Sequence, residues 1–147
     1  MGDHDYVKSA LEKLGGTVDF WKVAIRPGKP FVHGQLNGNH FFGLPGNPIS
    51  TFVTFLLLVR PMLVRMQGGL DFALSTSRGV LAEDMANRGN RRHFARVVLA
   101  SDGTVISAGL QASHALSSLG LANGLLELPP ETSWEAGREV NILRIDG

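Results

Sequence analysis

Two loops in the first third of the chain carry the residues best suited to hold an anion. Arg26-Pro27-Gly28-Lys29-Pro30 sets two cations on a stiff backbone, with Lys29 fixed between Gly28 and Pro30. Gly43-Leu44-Pro45-Gly46-Asn47-Pro48 leads into a long apolar stretch, and Asn47-Pro48 reads as an N-cap followed by a first helical position. A helix N-terminus offers unpaired N–H groups and the positive end of its dipole, which suits phosphate or another oxyanion. The pattern therefore predicts one anion pocket built from Arg26, Lys29 and the amides that open the helix. An ordinary turn and cap would use the same residue types.

Other groups carry a chemical and a plain reading side by side. Asp3 and Asp5 suit the first turn of a helix, where the dipole favours carboxylates, and equally a hard-cation site for Mg²⁺ beside a phosphate. Arg88, Arg91, Arg92 and Arg96 form a basic patch, which as a rule is a solvated face. Phe72, Phe94 and Trp134 are too few aromatics nearby for base stacking, which argues against nucleic acid. Ser113-His114 and Ser117-Ser118 read as a loop with capping hydroxyls, or as donors to phosphate oxygens. The chain has no G-x-S-x-G elbow, and its five histidines are scattered without an H-E-x-x-H pair. Neither a hydrolase triad nor a histidine zinc site is supported.

The elements that must position these residues follow from pattern. Tyr6, Val7, Ala10, Leu11 and Leu14 recur at helical spacing up to the Gly15-Gly16 stop. Val18 to Ile25 reads as one strand, and Phe31–Leu36 and Asn39–Leu44 as a hairpin turning at Asn37-Gly38. The main helix runs from Asn47 to about Gln67, stops at Gly68-Gly69, and is expected to kink at Pro61. Its apolar run Phe52–Val59 ends at Arg60-Pro61, short of the roughly 20 residues a bilayer needs. A buried core helix is expected, packed between layers or at a subunit contact. Five β-like segments follow: Val80–Asp84, His93–Ala100, Thr104–Ala108, Leu125–Leu128 and Val140–Ile145, with a hairpin at Asp102-Gly103. They predict a small barrel or sandwich, with a domain boundary at residues 68–76.

Composition bounds the function. The 147 residues are 44% hydrophobic and 18% charged, and the net charge of +1 gives no global pull toward nucleic acid or anionic membranes. The absence of cysteine excludes disulfides and thiolate chemistry and suits a reducing cytoplasm, and the first residues show no leader pattern. Residues 1–67 hold too few elements to cover one another and read as the tail of a larger α/β unit.

Gly2-Asp3-His4-Asp5-Tyr6-Val7-Lys8, Phe20 through Pro30 and Gly43 through Ser50 together resemble the molybdenum insertases, MoeA and the gephyrin E domain. Arg91-Arg92-His93-Phe94-Ala95-Arg96 and Ser113 through Leu119 are similar to that family's C-terminal barrel. The resemblance implies an α/β fold class: residues 1–69 as the C-terminal part of a molybdopterin-binding, three-layer α/β/α domain, truncated at its N-terminus, and residues 72–147 as a small all-β barrel-like domain. It implies transfer of molybdate to adenylated molybdopterin with release of AMP, assisted by Mg²⁺ or another divalent cation, in a cytoplasmic homodimer with no nucleic-acid or membrane partner. By the same resemblance Asp3 and Asp5 are metal-binding and catalytic, Lys29 is catalytic and ligand-binding, and Arg26, Pro45, Gly46, Asn47, Pro48, Ser50, Arg91, Ser113 and Ser117 line the ligand. The isolated chain is expected to be inactive. The alternative is a non-catalytic binding or scaffold module of the same family.

Overall fold

A computed structural model describes residues 6–111 and 117–145. Asp3, Asp5 and Ser113, all expected site residues, lie outside the described residues. Helix α1 (Tyr6–Lys13) ends as its spacing predicts: Gly15 takes a φ of 83° and the Gly16 amide donates to the Leu11 carbonyl at 2.9 Å. The stretch expected as one strand is two, β1 (Thr17–Trp21) and β2 (Ile25–Arg26). Between them Lys22 adopts a φ of 67°, and the Lys22 and Val23 amides donate to the Phe31 and Lys29 carbonyls at 2.9 and 3.1 Å. This closes the Arg26–Pro30 loop back on itself and frees β2 to pair elsewhere.

Strands β3 (Val32–Leu36) and β4 (Asn39–Gly43) form the expected hairpin, with Asn37 and Gly38 at φ 51° and 78°, the geometry of a twist-matched two-residue turn. With β1 they make an antiparallel sheet in the order β1-β3-β4. Leu11 of α1 seats on one face, against Gly16 and Gly34, where any side chain would collide with it.

Helix α2 (Pro48–Thr54) starts as predicted, with Asn47 as cap and Pro48 in the first turn. It continues through a π-helical segment, Phe55–Val59, into α3 (Arg60–Met66). Pro61 does not break it. Proline has no amide to give to Leu57, and the wide turn before it, in which Arg60 donates to the Phe55 carbonyl, absorbs the mismatch. The helix ends at Gly68, φ 83°, with the Gly69 amide on the Val64 carbonyl at 2.9 Å. One expectation is corrected: this helix is buried on one side only. Ile49, Val53, Thr54 and Val59 are covered, whereas Phe55, Leu63 and Met66 are exposed.

The second half supplies β5 (Thr76–Leu81), β6 (Met85–Asn87), β7 (Arg92–Leu99), β8 (Thr104–Ser107), α4 (Ser117–Leu121), β9 (Gly124–Leu128), β10 (Thr132–Trp134) and β11 (Glu139–Arg144). Strands β7, β8, β5, β11 and β9 are neighbours in that order, and β9 pairs again with β7, which closes a five-stranded barrel. Its interior is filled by Leu81, Ala95, Val97, Val105, Leu126, Leu128 and Ile142, residues that alternate along their strands as a closed sheet requires. The three-residue strands β6 and β10, absent from the sequence reading, pair with each other.

The halves are joined by backbone as well as side chains. Strand β2 runs parallel to the start of β7, Ile25 beside Arg92 and Arg26 beside His93. It covers the part of the β7 edge that β8, bonded only from Val97 to Leu99, leaves open. Above this seam Val53 packs with Phe94 and Leu125, with Ile25, Phe52, Leu56, Leu57, Leu143 and Ile145 around them.

Candidate oxyanion site

The basic patch of the second half is not one solvated face. Arg88 is exposed, Arg92 pairs with Glu127 at 2.8 Å, Arg91 turns inward, and Arg96 is fully buried. The Arg91 Nη1 donates to the Ile25 carbonyl at 3.0 Å, and the Arg92 amide donates to the Ala24 carbonyl at 3.2 Å. These bonds draw Arg26, Arg91 and His93 to the β2–β7 seam. Among the described residues no carboxylate forms an ion pair with Arg26 or Arg91; the ion pairs are Lys8–Glu12, Asp19–His33 and Arg92–Glu127. Among the described residues, positive charge therefore accumulates at the seam without a matching negative group.

Arg96 reaches the same region from within the fold. Its Nε donates to the Ser118 Oγ at 2.7 Å and its Nη2 to the Leu110 carbonyl at 2.9 Å. Its backbone is clasped by Gln111, whose Oε1 accepts from the Arg96 amide and whose Nε2 donates to the Arg96 carbonyl, at 2.9 and 2.8 Å. Arg96 thus anchors both ends of the serine-bearing connection, and Ser117 stands exposed beside Ser118. Burial, and then the Arg26 guanidinium, lower the Arg96 pKa.

The loop that carries Lys29 is seated by Gly28. This residue has a φ of 119°, and a Cβ here would overlap Thr54 Cγ2 of α2. Gly28→Ala is expected to destabilise the protein by about 2 kcal/mol, since backbone strain and the collision with Thr54 act together; a denaturant midpoint equal to that of the parent would show the loop is not held there. Lys29 itself is exposed, and the loop touches α2 at Thr54, the last residue of that helix and the end away from its opening amides.

The opening of the helix departs from expectation. Asn47 Oδ1 accepts from the Ile49 and Ser50 amides at 3.1 and 3.2 Å, and the Thr51 amide bonds the Asn47 carbonyl at 2.8 Å. Pro48 has no N–H. The first-turn amides are therefore satisfied within the chain, and the expectation that they stand open to an anion is corrected. Thr51 Oγ1 donates to the Pro45 carbonyl, and Ser50, buried, gives its carbonyl to Thr54 Oγ1 at 2.7 Å. Pro45 and Ser50 are buried and Asn47 is engaged in the cap, while Gly46 and Pro48 lie at the surface.

A second polar group lies on the sheet face opposite α1. His33 Nδ1 is 3.1 Å from Asp19 Oδ2, and His33 Nε2 is 3.1 Å from His40 Nδ1. The hairpin register makes neighbours of two histidines that look scattered in sequence. No group of three or more histidine and acidic side chains is placed to hold a metal ion among the described residues. His93 is the seam residue that sequence reasoning missed, and Arg96 was read only as one member of a basic patch. The signal was present: both sit in His93-Phe94-Ala95-Arg96-Val97-Val98-Leu99, an apolar strand pattern that buries whatever it carries.

A five-stranded barrel tied through a basic seam to the closing elements of an α/β unit defines a two-part molybdopterin-related protein. Residues 1–65 match the family described as a probable molybdopterin binding domain, and residues 78–145 match the MoeA C-terminal region, domain IV. The chain belongs to the MoeA family. It is 37% identical over 150 residues to a molybdopterin molybdenumtransferase of Haemophilus influenzae, covering 97% of this chain and 36% of that protein. It is 39% identical over 139 residues to the molybdenum cofactor synthesis protein cinnamon of Drosophila melanogaster, covering 90% of this chain and 23% of that protein. A crystal structure of a molybdopterin biosynthesis MoeA protein from Pyrococcus superposes with a TM-score of 0.78 at 35% identity, over 95% of this chain and 34% of that one. The chain spans about a third of the length of the Haemophilus and Pyrococcus proteins named above.

Proposed function

We propose that the chain forms one wall of the site at which a molybdenum insertase binds adenylated molybdopterin and molybdate, transfers molybdate to the ligand's dithiolene and releases AMP. The observation that carries this reading is the seam itself: in a chain of this family Arg91 bonds the carbonyl of Ile25, the residue before Arg26, and among the described residues neither arginine forms an ion pair. The attacking sulfurs belong to the ligand, so the protein's part is to position two anions and neutralise them. A guanidinium fork suits that task, since it offers two parallel donors to two oxygens of one tetrahedral group.

In this reading Arg26, Lys29 and Arg91 bind phosphate or molybdate oxygens. Pro45, Gly46, Asn47, Pro48 and Ser50 shape the wall, and Ser113 and Ser117 give hydroxyl donors to ligand oxygens, Ser117 standing beside the Ser118 that Arg96 holds. Asp3 and Asp5 would hold Mg²⁺ or another divalent cation, which would supply positive charge to neutralise the phosphate. Division at 1–69 and 72–147 is supported by the two family matches, although β2 of the first part lies in the sheet of the second. A cytoplasmic homodimer completes the proposal.

Binding is expected of the chain alone, and turnover is not. In calorimetric titrations with molybdate and with adenylated molybdopterin, replacing Arg26 or Arg91 by Ala is expected to weaken binding by about 10–100-fold, the worth of a charge-assisted hydrogen bond. Unchanged affinity in both variants would move the site away from the seam. Salt-dependent capture of an oligonucleotide through Arg88 and Arg92 would favour a nucleic-acid function instead.

A further inference from the structure

The proposed chemistry gives His93 nothing to do, yet its position is costly. The ring is 4% exposed, and neither Nδ1 nor Nε2 has a hydrogen-bond partner among the described residues. A buried polar atom left in that condition costs about 1–3 kcal/mol, so an imbalance of this kind calls for a physical explanation. In the β2–β7 ladder His93 is the residue beside Arg26, and side chains of paired residues leave a sheet on the same face.

Its charged surroundings can be named element by element. Strand β2 brings Arg26. Strand β7 carries Arg92 and Arg96, with Arg91 just before it, and Arg96 is held by Ser118 and the Leu110 carbonyl. Strand β9 places Leu128 opposite His93, and its one carboxylate, Glu127, is taken by Arg92 at 2.8 Å. Helix α2 and strand β6 carry no ionisable side chain, though Asn87 of β6 donates to the Arg91 and Leu128 carbonyls beside the ring, at 2.7 and 3.1 Å. Among the described residues of these elements the imidazole has Arg26 beside it in the ladder and no carboxylate that is not already paired.

We infer that His93 is the proton-accepting residue of the seam: a tetrahedral dianion of the molybdate or phosphate class settles against Arg26 and is accompanied by uptake of one proton at the His93 ring. This rests on the anion-site reading above. In the free protein burial, then Arg26 and Arg96, hold the imidazole neutral, with a pKa of about 4. Two negative charges within a few ångströms reverse the local potential and favour the imidazolium. The imidazolium carries an N–H on both ring nitrogens and a full positive charge, whereas the neutral ring has one N–H and one lone pair. Protonation thus adds the charge and the donor that a nearby anion favours. No covalent bond changes; the proton comes from solvent.

Sulfate is the cleanest probe, because its charge is constant between pH 5 and pH 8, with molybdate as the second anion. Titration calorimetry on the full chain at pH 6, in two buffers of different ionisation enthalpy, is expected to show proton uptake on sulfate binding. Affinity is expected to rise as pH falls from 7 to 5, by up to about tenfold per unit. His93→Gln is expected to bind sulfate while losing the His93 share of uptake and pH dependence, and the His93 ring resonances of the parent are expected to shift to the imidazolium form on titration. Binding with no uptake, or with a pH profile equal to that of the variant, or with the His93 resonances unmoved, overturns the inference and leaves the anion site standing. Failure of both anions to bind the parent at any pH from 5 to 8 defeats the anion site and the inference together.

Discussion

Acidification from pH 6.5 to pH 4 is expected to remove about 2–3 kcal/mol of folding stability through His93 alone. The ring's ordinary pKa of 6.5 applies to the unfolded chain, and in the fold it falls to about 4, through burial first and the guanidinium groups of Arg26 and Arg96 after it. Between those values the unfolded chain binds more protons than the folded one, so stability rises with pH across the window. The contribution is fully present above pH 6.5 and gone below pH 4. Asp102, whose pKa is lowered by the Thr104 amide, adds a loss of the same sign at the acid end of the window. Urea midpoints at half-unit intervals check the effect, and His93→Gln should flatten the curve. A parent curve already flat from pH 7 to pH 4 would mean that the ring is solvated in solution. Sulfate, if it draws a proton to the ring, should shrink the loss.

Phe94→Ala is expected to cost about 3–5 kcal/mol, a large share of the 5–15 kcal/mol that holds a typical domain. Phe94 is buried between Val53 of α2 and Leu125 of β9, with Ile25, Phe52 and Leu57 closing over it. It is the ring on which the long helix rests against the barrel, and its removal would leave a cavity at that contact. Phe94→Leu should recover most of the loss. Unlike the effect at His93, this one should not vary with pH between 5 and 8. If Phe94→Ala unfolds at the parent's denaturant midpoint, the helix is not fastened there.

Local signals were legible wherever a few neighbouring residues decide the backbone. Asn37-Gly38 specified its turn, Asn47-Pro48 its cap, and Gly68-Gly69 its stop, each through chemistry confined to one loop. The family resemblance, carried by motif order along nearly the whole chain, agrees with both family matches. What sequence did not show depends on distant partners. Nothing local to Lys22 announces a left-handed residue; its conformation follows from the Phe31 carbonyl that its amide meets. Strands β6 and β10 are three residues each and exist because they find each other. The four arginines of the basic patch look alike in sequence and part company only when β2 arrives beside β7. Asn47 misled in the opposite direction, since a good cap consumes the very amides that make a helix end attractive to anions.

The two-residue strand β2 has a mechanical consequence. Through it the barrel borrows part of its wall from the other half of the polypeptide, and the Arg91 side chain and the Phe94 cluster add further clasps on the same side. A protease nick within residues 68–76 would cut the covalent tether and still leave the two pieces travelling as one particle through a sizing column. Any rocking of one half against the other has to pivot about this ladder or unzip it, so motion at the seam and loss of its charge geometry are one event.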